Sequence, residues 1–135
     1  MAKSEPAPRT NTGAGRALIA VYGIFALAAT ARASVQLITR FTEAPLAYLL
    51  SALAGLIYVV ATITLARGTR ASRKIALVAI ISELAGVLIV GTLSLLRPEA
   101  FPRATVWSLF GIGYGFVPLV LPVLGLVWLA RTRSR

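Results

Sequence analysis

Four long apolar stretches, separated by short connectors that hold nearly all the charge, fill this chain between Ala17 and Ala130. Each stretch approaches or exceeds the ~20 residues that a helix needs to cross a hydrocarbon core about 30 Å thick. Because unpaired backbone groups are too costly in lipid, helix is the state expected for segments of this length. The sequence therefore predicts an all-α fold, a transmembrane four-helix bundle.

The limits of the predicted spans follow from proline, glycine and charge. The spans are predicted at about 16–38, 45–66, 75–96 and 106–130. Pro45 suits the first turn of the second helix, and Gly68 follows its end. Residues 1–15 show no apolar periodicity and are expected to form a disordered cytoplasmic tail, and residues 131–135 form a basic cytoplasmic tail. The membrane domain is therefore predicted to occupy 16–130.

The distribution of basic residues predicts orientation. With four spans, ten of them fall on one side of the membrane, namely Lys3, Arg9, Arg16, Arg67, Arg70, Arg73, Lys74, Arg131, Arg133 and Arg135. Arg40, Arg97 and Arg103 fall on the other side. The positive-inside rule then places both termini in the cytoplasm. We expect a multi-pass protein of the cell inner (plasma) membrane, N-in/C-in, with the lipid bilayer as its surroundings.

The first span has an alternative interpretation as a cleavable signal peptide. The basic tail and the apolar run from Ala17 to Ala28 precede Ala29-Thr30-Ala31, which resembles a cleavage site. The apolar pattern continues to Ile38, however, which favours a retained span.

Composition argues against catalysis. The chain contains no Cys, His or Asp, which excludes disulfides, thiolate and imidazole metal sites, and Ser-His-Asp chemistry. We therefore expect no enzyme activity, no cofactor and no metal. The net charge of +10 sits at the ends of apolar segments instead of on a basic face with aromatic residues, so nucleic acid is not an expected partner.

Glu83 is a lone carboxyl group in the third span, about 13 Å into the membrane by helical rise. Its helical neighbours Ala76, Ala79 and Gly86 are small, so another element can approach closely and Glu83 is expected to face protein. Two interpretations stay open. Glu83 carries a proton or binds a cation, or it locks the packing of the helices.

Arg32 is the second ionisable group predicted inside the membrane, about 12 Å from the outer end of the first span. A polar stripe continues from it through Gln36, Thr39, Arg40 and Glu43. This stripe lines a water-accessible cavity or a partner, or else Arg32 extends along its helix to the interface or pairs with Glu43.

Depth also suggests partners for both groups. An ion pair between Arg32 and Glu83 requires long side chains or tilted helices, because their estimated depths differ. Hydroxyl partners are the alternative, since Tyr58 falls near the depth of Glu83 and Tyr114 near that of Arg32. The candidate intramembrane polar site therefore consists of Arg32, Gln36, Tyr58, Glu83 and Tyr114.

The fourth span contains signals of close packing or of a hinge. Gly111 and Gly115 have the GxxxG spacing that lets helix backbones approach, whereas Pro118 and Pro122 favour a kink or local unwinding. Trp107 and Trp128 bracket the span, about 31 Å apart along a continuous helix, as interfacial aromatic residues do.

Several sequence motifs resemble those of small four-span integral membrane proteins of actinobacteria that have no assigned function. The similarity covers roughly 16–129. The motifs are Val21-Tyr22-Gly23, Ala31-Arg32-Ala33-Ser34-Val35-Gln36-Leu37, Phe41 to Leu50 with Glu43-Ala44-Pro45, and Gly113-Tyr114 with Pro118-Leu119-Val120-Leu121-Pro122. The resemblance implies a four-span fold and does not imply a reaction.

Two classes of function remain open. The first is a non-catalytic accessory or assembly subunit that associates with itself, as a homo-oligomer, or with a larger membrane-protein complex. The second is a small oligomeric transporter or channel in which Glu83 titrates and Arg32 attracts an anionic group.

Overall fold

The computed structural model describes residues 10–132, and within this range the chain forms only helices and their connections. The α-helices are α1 (Ala14–Thr39), α2 (Pro45–Arg67), α3 (Arg70–Leu96) and α4 (Val117–Arg131). Short 3₁₀ helices cover Phe41–Glu43, Pro98–Ala100 and Ser108–Tyr114. Helices α1, α2 and α3 are each long and apolar enough to cross a membrane. The 3₁₀ helix Ser108–Tyr114 and α4 form a bent pair, which adds a fourth span if the two are counted as one. The prediction of an all-α fold is confirmed for the described residues, with three to four helices that are able to span a membrane.

Local signals explain the tight connection between α2 and α3. Pro45 lies in the first turn of α2, and Gly68 ends that helix in the left-handed conformation with φ 68°. Thr69 then caps α3, because its Oγ1 accepts from the Ser72 N–H at 3.1 Å while Ser72 Oγ accepts from the Thr69 N–H at 2.9 Å. With so short a turn, α2 and α3 pack as neighbours.

The predicted fourth span, 106–130, is not one continuous helix. Its α-helical part, α4, begins only at Val117, and the preceding 3₁₀ helix is inclined to it by 98°. The backbone adopts positive φ at Leu109, Phe110 and Gly111 within the 3₁₀ helix, and at Gly115 and Phe116 between it and α4. A right-handed helix cannot pass through such residues. We call residues 108–116 the break segment.

Residues 10–15, expected to be part of a disordered tail, are packed against the bundle. Thr10 is 2% exposed, and its hydroxyl donates to the Leu65 carbonyl at 2.6 Å. Asn11 Nδ2 donates to the Ala66 carbonyl at 2.8 Å, and Trp128 Nε1 donates to the Thr10 carbonyl at 3.0 Å. The last carbonyls of α2 have no partner within their own helix, so these donors order the segment. The rest of the predicted tails, 1–9 and 133–135, lies outside the described residues.

The bundle has an apolar surface and a core of small and aromatic side chains. Large apolar residues such as Leu27 and Ile38 are 77% and 83% exposed. Alanines, among them Ala26, Ala54 and Ala76, are buried between the helices. An apolar exterior around a closely packed interior is the arrangement expected in lipid.

Candidate functional site

Glu83 lies in the centre of the bundle and is bound by a tyrosine. Its side chain has no exposed surface, and the Tyr22 hydroxyl of α1 donates to its Oε1 at 2.8 Å. The prediction that Glu83 faces protein is confirmed. The hydrogen bond joins α1 to α3 across 61 positions of the sequence.

A glycine in α4 leaves the space for this hydrogen bond. A Cβ atom at Gly125 would lie 3.1 Å from the Tyr22 hydroxyl oxygen and 3.0 Å from Ile80 Cδ1. Both distances are shorter than ordinary van der Waals contacts. Three helices, α1, α3 and α4, therefore meet around the Tyr22–Glu83 pair.

Tyr58, the predicted hydroxyl partner of Glu83, is bound instead by Trp107. The indole Nε1 donates to the Tyr58 hydroxyl at 3.2 Å, and both residues are buried. The indole ring packs over Gly86, where a Cβ atom would lie 2.6 Å from the ring. Trp107 is thus a core residue of the bundle, and its expected position at the membrane interface stays a prediction.

Tyr22 belongs to the candidate site and was not predicted from the sequence. Its ring centroid lies 6.3 Å from that of Tyr58, so the two tyrosines and Glu83 form one inner cluster. Helical rise places Tyr22 about 9 Å from Arg16, not far from the ~13 Å predicted for Glu83. The same depth estimate that selected Tyr58 would have selected Tyr22.

One oxygen of Glu83 has no donor. Glu83 Oε2 is buried and forms no hydrogen bond within residues 10–132. An unsatisfied buried oxygen is unfavourable, and more so if the carboxyl group is charged. The carboxyl group of Glu83 can therefore hold a proton, or its Oε2 can accept a hydrogen bond from a bound molecule.

Arg32 has the partner that its depth predicts. Arg32 Nη1 donates to the Tyr114 hydroxyl at 2.8 Å. The Tyr114 ring makes an edge contact with Phe25 at 5.6 Å between centroids, and Phe25 also contacts Tyr58 at 6.0 Å. Phe25 thus lies between the inner cluster and an outer cluster formed by Arg32 and Tyr114.

The other partners considered for Arg32 are not found. Glu83 is held by Tyr22, and Glu43 pairs with Arg103 at 3.2 Å. Arg32 itself is exposed on the bundle surface. Gln36, one turn further along α1, has a buried Oε1 that meets no donor in the described part of the chain.

The glycines and prolines of the fourth span shape its backbone and do not pack two helices together. Gly111 has φ 85°, and a Cβ atom there would lie 2.7 Å from the Pro118 ring. Gly115 has φ 64° and has no atom within 4 Å of where its Cβ would be. Pro118 lies in the first turn of α4, and Pro122 is buried within that helix. The structure has the interrupted helix that the prolines predicted. No atom of the described chain packs against Gly115 as a GxxxG contact would require.

A hydroxyl group of α3 holds the break segment in place. Ser94 Oγ accepts from the Leu109 N–H at 2.8 Å, and Leu109 is the first residue of the break segment with positive φ. Phe110 packs on Gly91, where its ring leaves no room for a Cβ atom. Contacts with α3 therefore accompany the unusual backbone.

Comparison of this chain with protein-family models, curated proteins and solved structures found no match. The resemblance to small four-span actinobacterial proteins stays a prediction. Function is therefore inferred from the two clusters and the break segment.

Proposed function

We propose that this chain is a small non-catalytic subunit of the inner membrane, with both termini in the cytoplasm, that associates with itself or with a larger membrane complex. The contact face consists of the break segment and the adjoining surface of α1 around Arg32. The observation that carries the proposal is the exposure of non-helical backbone at membrane depth.

The depth of the break segment follows from the length of α4. With 15 residues, α4 is about 22 Å long, roughly 8 Å less than the hydrocarbon core. With the C-terminal end of α4 at Arg131 taken as the membrane surface, the residues just before α4 lie inside the hydrocarbon layer. Gly113 and Gly115 are exposed there, and Ile112 and Phe116 are 53% and 44% exposed.

Irregular backbone is tolerated at membrane depth where protein covers it or where it lines a water-filled cavity. A single copy of this bundle leaves part of the break segment, including Ile112, Gly113 and Gly115, exposed on its surface. A partner helix over Ile112, Gly113 and Gly115 would remove that backbone from lipid. Association is thus the role that the exposed segment supports.

A pair of tryptophan variants tests the proposal. A Cβ atom at Gly113 would have open space around it and the φ of Gly113 is not positive, so Gly113→Trp adds bulk to the proposed face without a clash at its Cβ. Leu27 is 77% exposed and points away from Tyr114, about 200° around α1 from Phe25, so Leu27→Trp is the matched control. Affinity purification in mild detergent followed by mass spectrometry should recover the same partners with the native chain and Leu27→Trp, and lose them with Gly113→Trp. Equal recovery with both variants would reject this face.

The second candidate function is a small oligomeric transporter or channel. The buried, unpaired Glu83 Oε2 favours it, because this oxygen is available to a proton or a donor. In liposomes, such a protein would give pH-dependent flux that Glu83→Gln abolishes. Association without flux would leave the first proposal in place.

A further inference from the structure

We propose that the partner at this face is a different membrane protein, one whose transmembrane helix carries a carboxylate at the depth of Arg32. The inference rests on the proposed function and names the chemistry of the partner. It is argued from the position of Arg32, the direction in which its side chain leans, and the carboxylates of the chain itself.

Arg32 is an incompletely paired cation inside the membrane. It lies seven residues before the end of α1 at Thr39, about 10 Å along the helix. A guanidinium has five N–H donors, and within residues 10–132 the hydrogen bond of the Arg32 side chain is the one to Tyr114. An exposed charge at this depth is costly in lipid, and intramembrane charges usually pair with one another.

The direction of the side chain disfavours an escape to the membrane surface. Side chains on an α-helix tilt towards its N-terminus, so Arg32 leans towards the middle of the membrane and away from the nearby end of α1. The hydrogen bond to Tyr114 fixes it there. An acceptor carried on a helix reaches this position more readily than the phosphate of a lipid headgroup.

A second copy of the chain does not supply the acceptor. Copies inserted in the same orientation place their Arg32 residues at equal depth, so a symmetric contact would bring like charges together. Among the described carboxylates, Glu83 is buried with Tyr22. Glu43 and Glu99 lie beyond the ends of α1 and α3 and pair with arginines.

A carboxylate on another protein satisfies the remaining N–H groups of Arg32 and the hydroxyl proton of Tyr114. Carboxylates bind guanidinium in a bidentate geometry with two parallel hydrogen bonds. The Tyr114 hydroxyl accepts from Arg32 and finds no acceptor in the described part of the chain, so its own proton is available to the same ligand. Arg32 of α1 and Tyr114 of the break segment thus offer two donor groups to one carboxylate.

A reconstituted system with designed helices tests this inference. The full chain, fluorescently labelled, is placed in phosphatidylcholine vesicles with a labelled Leu/Ala transmembrane peptide that carries Glu, Leu or Lys at the depth of Arg32. Energy transfer should reach half-saturation at about tenfold lower density with the Glu peptide than with the Leu peptide. Arg32→Leu should remove this preference, and Arg32→Glu should transfer it to the Lys peptide. Arg40→Leu, which removes an exposed arginine at the end of α1, is the matched control and should keep the preference for Glu.

Each other outcome has a distinct meaning. Equal binding of the Glu and Leu peptides to the native chain overturns the inference, and if labelled copies then bind one another, the proposed association still stands. Loss of the preference in phosphatidylglycerol vesicles assigns Arg32 to lipid phosphate and also overturns it. A chain that binds no peptide, no second copy and no native membrane protein refutes the inference and the proposed function together.

Discussion

Tyr22 of α1 and Glu83 of α3 are joined by a 2.8 Å hydrogen bond, and neither side chain has any exposed surface. Interhelical hydrogen bonds within membranes contribute about 0.6 to 2 kcal/mol each. The bond also fixes the rotation of α1 relative to α3. This rotation determines which face of α1 carries Arg32 towards the break segment.

Removal of the Tyr22 hydroxyl should therefore destabilise the bundle. Tyr22→Phe leaves both Glu83 oxygens without a donor in the described part of the chain, and we expect a loss of about 1–2 kcal/mol in the free energy of unfolding. Unfolding in mixed detergent micelles, followed by circular dichroism, measures it. Tyr48 is equally buried and its hydroxyl makes no hydrogen bond within residues 10–132, so Tyr48→Phe should change the stability by less than about 0.5 kcal/mol. Similar losses for both variants would contradict this role of Glu83.

The contact between Gly86 and Trp107 predicts a large effect of one methyl group. Gly86→Ala places a Cβ atom 2.6 Å from the indole ring, and such overpacking should cost about 1–3 kcal/mol. Gly23, also inside a helix, has its nearest such neighbour at 3.7 Å, so Gly23→Ala should be neutral or slightly stabilising. The same unfolding assay compares them, and the tryptophan fluorescence of the chain should shift only in Gly86→Ala. If the two variants are equally stable, the Trp107 ring does not pack on Gly86 as described.

Two exposed glycines of the break segment separate backbone strain from packing. Gly115 and Gly113 both have open space around them, but Gly115 has φ 64° whereas the φ of Gly113 is not positive. Gly115→Ala should therefore destabilise the protein by about 1 kcal/mol, and Gly113→Ala should leave it unchanged or slightly more stable. Thermal unfolding in detergent distinguishes them. If Gly113→Ala is the more harmful change, the described break is wrong.

The environments of Glu83 and Arg32 were predictable because helical rise gives the depth of a residue and small neighbours reveal a contact face. Ala76, Ala79 and Gly86 indicated that Glu83 is covered, and depth paired Arg32 with Tyr114. Depth alone gives no direction around a helix. Tyr58 was therefore assigned to Glu83, whereas Tyr22 holds it.

The break in the fourth span was only partly predictable. Pro118 and Pro122 indicated a kink or local unwinding, but Leu109 and Phe110 prefer right-handed backbone and gave no signal. Their positive φ accompanies contacts with Ser94 and Gly91 of α3, which lie 15 or more positions away. Non-local contacts of this kind are not visible in a local sequence pattern.

Site-specific photocrosslinking in native membranes tests the central claim most directly. A benzophenone amino acid is placed at Ile112, on the proposed contact face, or at Leu27, on the opposite exposed surface of α1. We predict a discrete protein adduct from position 112, with a partner other than a second copy, and none from position 27. If irradiation at position 112 yields no protein adduct, or the same adducts as position 27, the break segment faces lipid and the proposed association through it is contradicted.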